Sequence, residues 1–221
     1  MCGRFTLAVE DSDLQAEFEG IEFPATYARR YNIAPSQPVL AVRISPTRGK
    51  REFVWLRCGF IPRWSSDLSS GYKMINPRIE SVAEMPAFRE AFRYRRCLIP
   101  ASGFYEWQKQ GAGKQPYLVS LRGGRIMAIA GLWERWQAPD EVPIESCTIL
   151  TMDANETVAP LHNRMPVIVA PGDYELWLSG ADPAALRSLL TPIPADMMEI
   201  RPVSRRVNDP SVDEASLLES A

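Results

Sequence analysis

The feature that most constrains the fold of this chain is a succession of short apolar, alternating runs, each stopped by turn residues. Residues 39–44 and 53–58 alternate across the polar turn 45–49, as the two arms of a hairpin do. Residues 117–121 and 126–133 flank Arg122-Gly123-Gly124, which predicts a second hairpin. Residues 97–100 and 103–107 read as strands split by a turn, and 147–152, 165–170 and 198–203 as further strands. Helical spacing is confined to short pieces near 11–20, 86–95, 174–178 and 183–190, while 31–35 and 74–80 read as loops. Such runs make about eight or nine strands with short helices between them. No alternation of strand and helix supports a doubly wound sheet, no repeat is visible, and no linker divides the chain. The expectation is one α+β domain over residues 1–208, with an antiparallel, barrel-like β core and short flanking helices. The acidic tail 209–221 is expected to be disordered.

Composition narrows the setting. At 221 residues the chain can bury a substantial core. No apolar run approaches a membrane span and the N-terminus has no signal segment, so a soluble, cytoplasmic protein with no membrane partner is expected. Cysteines at 2, 58, 97 and 147 have no Cys-x-x-Cys spacing, and a single histidine excludes a His-rich metal site. No metal or cofactor is expected, and the later three cysteines read as small buried hydrophobes. A net charge of −2 argues against non-specific binding to duplex DNA. Arginines outnumber lysines about five to one and cluster at 29–30, 89–96 and 201–206. A local phosphate groove and a GC-rich coding bias explain that equally well.

Several residues carry chemistry by type and place. Once Met1 is removed, Cys2 bears an α-amine with a pKa of about 7.7–8.0, partly neutral at pH 7. Such an amine forms a Schiff base with an aldehyde, and the neighbouring thiol can close on the imine carbon as a thiazolidine. Glu106, between Tyr105 and Trp107, is expected to lose solvation, which raises a carboxyl pKa and suits it to acid–base work. As a strand residue it can equally point to solvent. His162 is the one side chain with an unperturbed pKa near neutrality, and equally fits a structural role. Asn76-Pro77-Arg78 offers an amide and a guanidinium in a stiff loop, or simply a turn. Arg164 suits a phosphate or faces water. Trp64 and Trp107 suit stacking on unpaired bases, at about 1–3 kcal/mol each, or the core.

In combination the motifs resemble the SOS response-associated peptidase family, the SRAP domain, along nearly the whole chain. Met1-Cys2-Gly3-Arg4-Phe5 opens it as in the family, and Tyr31-Asn32-Ile33-Ala34-Pro35 and Gly59-Phe60-Ile61-Pro62-Arg63-Trp64 follow. Asn76-Pro77-Arg78-Ile79-Glu80 is similar to Asn-Ala-Arg-x-Glu, with Pro77 in place of the usual small residue. Arg96-Cys97-Leu98-Ile99-Pro100, Gly103-Phe104-Tyr105-Glu106-Trp107, His162-Asn163-Arg164-Met165-Pro166, and Val203-Ser204 with Val207-Asn208 complete the set. The resemblance implies covalent crosslinking to abasic sites in single-stranded DNA by a lyase-like, thiazolidine chemistry at Cys2, after the protein removes its own Met1. It assigns catalysis to Cys2, Asn76, Glu106 and His162, and DNA binding to Arg4, Trp64, Arg78, Trp107 and Arg164. A monomer is expected, cytoplasmic and associated with the nucleoid when bound to DNA. Two other readings stay open: an N-terminal-cysteine peptidase or amidohydrolase, and a non-catalytic single-strand binder.

Overall fold

A computed structural model describes residues 3–24, 26–111, 113–137, 142–180 and 182–220. Its strands form two sheets that share one core. The strands are β1 (Phe5–Leu7), β2 (Arg30–Ile33), β3 (Pro38–Ile44), β4 (Arg51–Cys58), β5 (Arg96–Ala101), β6 (Gly103–Gln110) and β7 (Gly113–Leu121). They continue as β8 (Met127–Trp136), β9 (Ile144–Ile149), β10 (Thr151–Asp153), β11 (Arg164–Pro166), β12 (Ile168–Val169) and β13 (Met198–Pro202). The helices are α1 (Asp11–Glu17), α2 (Ile79–Val82), α3 (Arg89–Tyr94), α4 (Tyr174–Ser179) and α5 (Pro183–Ser188).

The larger sheet closes on itself. Its order is β12-β8-β5-β3-β4-β9, and β9 pairs back on β8, so β8, β5, β3, β4 and β9 form a five-stranded barrel. Pairing is antiparallel except between β4 and β9, which run parallel. Closure leaves no free edge inside the ring, and side chains fill a barrel this narrow. Gly131 on β8 marks the tightness of that filling. A Cβ there would lie 2.9 Å from Cys97 Sγ and 3.0 Å from both Ile99 Cδ1 and the Thr148 carbonyl oxygen. Every residue of β5 is buried, because the strand faces the barrel interior on one side and packing helices on the other.

The second sheet, β13-β7-β6-β1-β2, carries large apolar residues on both faces. Phe5, Phe104 and Val119 point into the main core, while Tyr105 and Leu118 point outward, as strand alternation requires. That outward face is covered by Val203, Val207 and Leu217, all fully buried. The acidic tail is therefore folded back on the sheet through residue 220 rather than disordered. Its apolar residues at 212, 217 and 218 find an uncovered face to bury against.

Two further expectations are corrected. Residues 31–35 are not all loop, since β2 takes Arg30–Ile33 as an edge strand beside β1. The runs on either side of Arg122-Gly123-Gly124 are strands, but β7 and β8 do not pair. Both edges of β7 are taken by β6 and β13, and those of β8 by β5 and by β12 with β9. The two glycines, at φ 74° and 68°, hand the chain from one sheet to the other. The thirteen strands among the described residues exceed the expected eight or nine because several span only two or three residues.

Candidate functional site

The expected site residues that the structure describes lie on separate segments: Arg4, Glu106 and Trp107 at the β1–β6 pairing, Asn76 and Arg78 ahead of α2, His162 and Arg164 at the start of β11, and Trp64 on the loop after β4. Strand β1 pairs with β6 through Phe5 with Phe104 and Thr6 with Gly103, and the Tyr105 N–H donates to the Arg4 carbonyl at 2.9 Å. The same antiparallel register sets Gly3 level with Glu106. Glu106 lies on the face of β6 shared with Phe104 and is 3% exposed. The alternative in which it points to solvent is thereby removed. Cys2 and Met1 lie outside the described residues.

His162 ends a turn capped by Asn155, whose Oδ1 accepts from the Val158 N–H, and its own N–H donates to the Val158 carbonyl at 3.1 Å. The Arg164 N–H donates to His162 Nδ1 at 2.9 Å. A nitrogen that accepts a hydrogen bond carries no proton, so the neutral ring bears its hydrogen on Nε2. The far end of β6 touches this loop, with Gln108 Nε2 donating to the Pro160 carbonyl at 3.4 Å.

Asn76 is half-buried on a segment laid along residues 149–151. The Ile75 carbonyl accepts from the Ile149 N–H, and the Pro77 carbonyl accepts from both the N–H and the hydroxyl of Thr151. Pro77 is buried in this seat and leads directly into α2. Arg78 caps that helix with its side chain exposed.

Arg164 holds this segment and the His162 loop together. Its Nη1 and Nη2 donate to the two oxygens of Glu80 on α2, each at 2.8 Å. The same nitrogens reach Asp153 at 2.6 Å and the Thr151 carbonyl at 2.7 Å. Hydrogen bonds from the guanidinium hold the Glu80 carboxyl below the usual carboxylate range. The Arg164 side chain is 6% exposed, so the expectation that it meets phosphate or water is corrected. Its fork is committed to carboxylates and a backbone oxygen, which makes it a brace between two loops.

Arg4 is likewise engaged. Its guanidinium donates to Asn32 Oδ1 at 2.7 Å and to the Val207 and Asn208 carbonyls at 2.6 and 3.1 Å. Among the described residues these bonds use three of its five N–H groups. Trp107 is half-buried beside the tail and donates from Nε1 to Asn208 Oδ1 at 2.7 Å. Trp64 is different, 68% exposed on the loop after β4, with Trp136 Nε1 anchoring that loop through the Ser65 carbonyl. It is not a core tryptophan. In the arginine cluster at 89–96, Arg96 is buried on the carbonyls of Phe92, Arg93, Trp177 and Gly180, and Arg95 pairs with Glu134. Those two arginines serve the fold.

Burial pushes the Cys58 thiol up to about 11 and raises Cys97 and Cys147 as well, so none of the three described cysteines is a ready thiolate. Among the described residues no group of three or more His, Cys, Asp or Glu is arranged to hold a metal, and no helix is long and apolar enough to cross a membrane. A cavity of about 600 Å³ lies between α1, the Gly123–Gly124 turn and residues 189–197, and none of the candidate residues lines it.

The family model described as "SOS response associated peptidase (SRAP)" matches residues 1–210. The chain belongs to the SRAP family. It is 41% identical over 225 residues to the abasic site processing protein YoqW of Bacillus subtilis, covering 100% of both chains. It is 30% identical over 213 residues to the abasic site processing protein HMCES of Gallus gallus, with 82% of this chain and 63% of that protein covered. The fold matches a crystal structure from Bacteroides thetaiotaomicron with a TM-score of 0.87, at 22% identity and full coverage of both chains. A Bordetella bronchiseptica structure aligns with a TM-score of 0.75 at 26% identity over 92% of this chain and 100% of that one.

Within the SRAP match, Asn32 and Asn208 also serve this region, through the bonds they make to Arg4 and Trp107. Both stand in recognised motifs, and their signal was an unexplained amide. Asp153, which helps to hold Arg164, and Asp213, which lies beyond the match, had no signal in the sequence.

Proposed function

We propose that this SRAP protein processes abasic sites in single-stranded DNA by forming a covalent crosslink through Cys2 after Met1 is removed. The observation that carries the reading is the register of β1 on β6, which leads the chain end toward buried Glu106. Covalent geometry limits Cys2 Cα to within about 7 Å of Arg4 Cα. The raised thiol pKa values elsewhere leave Cys2 as the candidate nucleophile, and the names of the relatives point to the same substrate.

The chemistry balances without a cofactor. The ring-opened abasic sugar presents an aldehyde at C1′, and the Cys2 amine adds to that carbon to give a carbinolamine. Loss of hydroxide, protonated to water, leaves the imine. The thiol sulfur then bonds to the imine carbon while its proton ends on nitrogen, so aldehyde and aminothiol become thiazolidine and one water. Glu106 supplies and recovers protons for ring opening and dehydration. The Nε2–H of His162 donates to the sugar hydroxyl, a role supported by the Arg164 N–H bond to Nδ1. Asn76 holds the sugar or the Cys2 backbone by hydrogen bonds. Arg78 and Arg4 meet phosphates, and Trp64 and Trp107 stack on bases. The adduct shields the lesion from strand cleavage.

Intact mass spectrometry tests this. Protein lacking Met1 that gains the mass of an abasic single-stranded oligonucleotide without borohydride, while Cys2→Ala does not, supports the crosslink. Loss of Met1 without any adduct favours an N-terminal-cysteine amidohydrolase. Retained Met1 with oligonucleotide binding but no adduct favours a non-catalytic binder.

A further inference from the structure

Both ends of the described chain meet at one buried asparagine. Asn32 on β2 is 0% exposed. Its Nδ2 donates to the carbonyls of Val207, Asp209 and Val212 at 3.2, 2.9 and 2.8 Å, and its Oδ1 accepts from Arg4. The amide thus joins the N-terminal strand to the start of the tail. A second residue holds β2 from outside. Asp213 Oδ1 accepts from the N–H groups of Tyr31 and Asn32 at 2.5 and 3.0 Å, and Oδ2 pairs with the Arg30 guanidinium. As the edge of its sheet, β2 has no neighbouring strand on that side among the described residues to satisfy those N–H groups. One carboxylate takes the part of the missing strand.

We infer that Asn32 and Asp213 form a clasp that sets the position of the N-terminal amine, making both of them positioning residues for the crosslinking reaction. The inference rests on the proposed function and goes beyond it. Arg4 is two residues from Cys2, and three of its N–H groups are fixed by this network. The Tyr105 N–H bond to the Arg4 carbonyl holds its main chain on β6. A nucleophile reached through two residues is only as well placed as the point where that short chain is moored. Misplacement of about 1 Å costs up to about a hundredfold in rate. Asp213 lies beyond the family match, which ends at residue 210, so this half of the clasp belongs to the tail of this chain. Leu217, fully buried against Tyr105, Val203 and Val207, keeps the tail seated while Asp213 makes its bonds.

The test uses full-length Asp213→Ala, Asp213→Asn and Leu217→Ala proteins. Three quantities are read: the single-turnover crosslinking rate at saturating abasic oligonucleotide, the Kd for the undamaged strand, and the rate at which 2-cyanobenzothiazole, a small aminothiol probe, labels Cys2. Asp213→Ala is expected to slow crosslinking at least about tenfold. Its Kd and its labelling rate are expected to stay within about twofold of the parent, because neither reading depends on how the amine is aligned with the abasic sugar. Asp213→Asn, which keeps an acceptor for the two N–H groups, is expected to recover most of the rate, and Leu217→Ala to fall between. Thermal melting reports the folded fraction of each variant. A parent protein that forms no adduct would overturn the underlying function and the clasp with it. A parent that crosslinks while Asp213→Ala matches its rate would overturn the clasp alone. So would a parallel loss of crosslinking, labelling and binding.

Discussion

The two faces of the β1–β6 sheet hold their residues in place by different means. Toward the barrel, Phe5, Phe104 and Val119 join a large continuous core in which each side chain has many apolar neighbours. On the outer face Tyr105, Leu118, Val203, Val207 and Leu217 form a small buried apolar cluster among the described residues, ringed by hydrogen bonds. Tyr105 donates to the Tyr31 carbonyl at 2.7 Å, Trp107 to Asn208, Arg4 to the Val207 carbonyl, and Asn32 to the carbonyls of Val207, Asp209 and Val212. Apolar burial is itself non-directional, and in the core it is the close packing of side-chain shapes that fixes each residue. Hydrogen bonds are directional and modest in net energy, and they fix position. The candidate site lies where the two regimes meet. Its buried acid is held on the core side and its arginine and tryptophan on the hydrogen-bonded side.

That contrast can be broken first in the barrel. Ile99→Ala removes a fully buried side chain and is expected to cost about 2–5 kcal/mol in chemical denaturation, with crosslinking by the surviving folded protein unchanged. Loss of crosslinking in parallel with little loss of stability would show that core and site are not separable as described. Gly131→Ala adds a methyl against Cys97, Ile99 and the Thr148 carbonyl, and overpacking of that kind costs about 1–3 kcal/mol. A melting temperature equal to the parent's would mean the barrel gives way more easily than its distances imply.

The Arg164 brace sharpens the comparison through pH. The folded Glu80 carboxyl titrates below its unfolded value, so its contribution is complete above the usual carboxylate pKa of about 4.3. It is lost as pH falls through the lowered folded value. Melting temperatures measured from neutral to acid pH are expected to fall less steeply in Glu80→Gln than in the parent across that window. Glu80 is half exposed, so the difference is small and salt-sensitive. Identical pH profiles would remove the brace from the stability account.

Trp64→Ala is expected to have the smallest effect on stability, within about 0.5 kcal/mol, because the ring is exposed. Its effect belongs to binding. Loss of one base stack at about 1–3 kcal/mol weakens single-strand affinity from about fivefold to about 160-fold. Unchanged affinity would take Trp64 out of the DNA path.

Much of the fold was legible because it is local. The β3–β4 hairpin, α1, and the strands at β6 and β13 each announce themselves by period and turn residues over a few positions. The family motifs were legible too, because each is a contiguous string. Glu106 illustrates the limit. Its apolar neighbours signalled a strand, but alternation alone left its direction open until the tail covered one face and the core the other.

The chain by itself determined the class of its elements, the family, and the residues capable of the chemistry. It did not determine their partners. Arg122-Gly123-Gly124 has the composition of a hairpin turn, yet β7 and β8 part, because pairing depends on which edges other strands have already taken. Arg164 reads like a phosphate ligand until Glu80, 84 positions away, occupies its fork. Asp213 reads as one more acid in a polar tail until it lies against the open edge of β2, 181 and 182 positions back. Those contacts join residues remote in sequence, and no local period encodes them. They exist only once the barrel has closed and the second sheet needs its outer face covered.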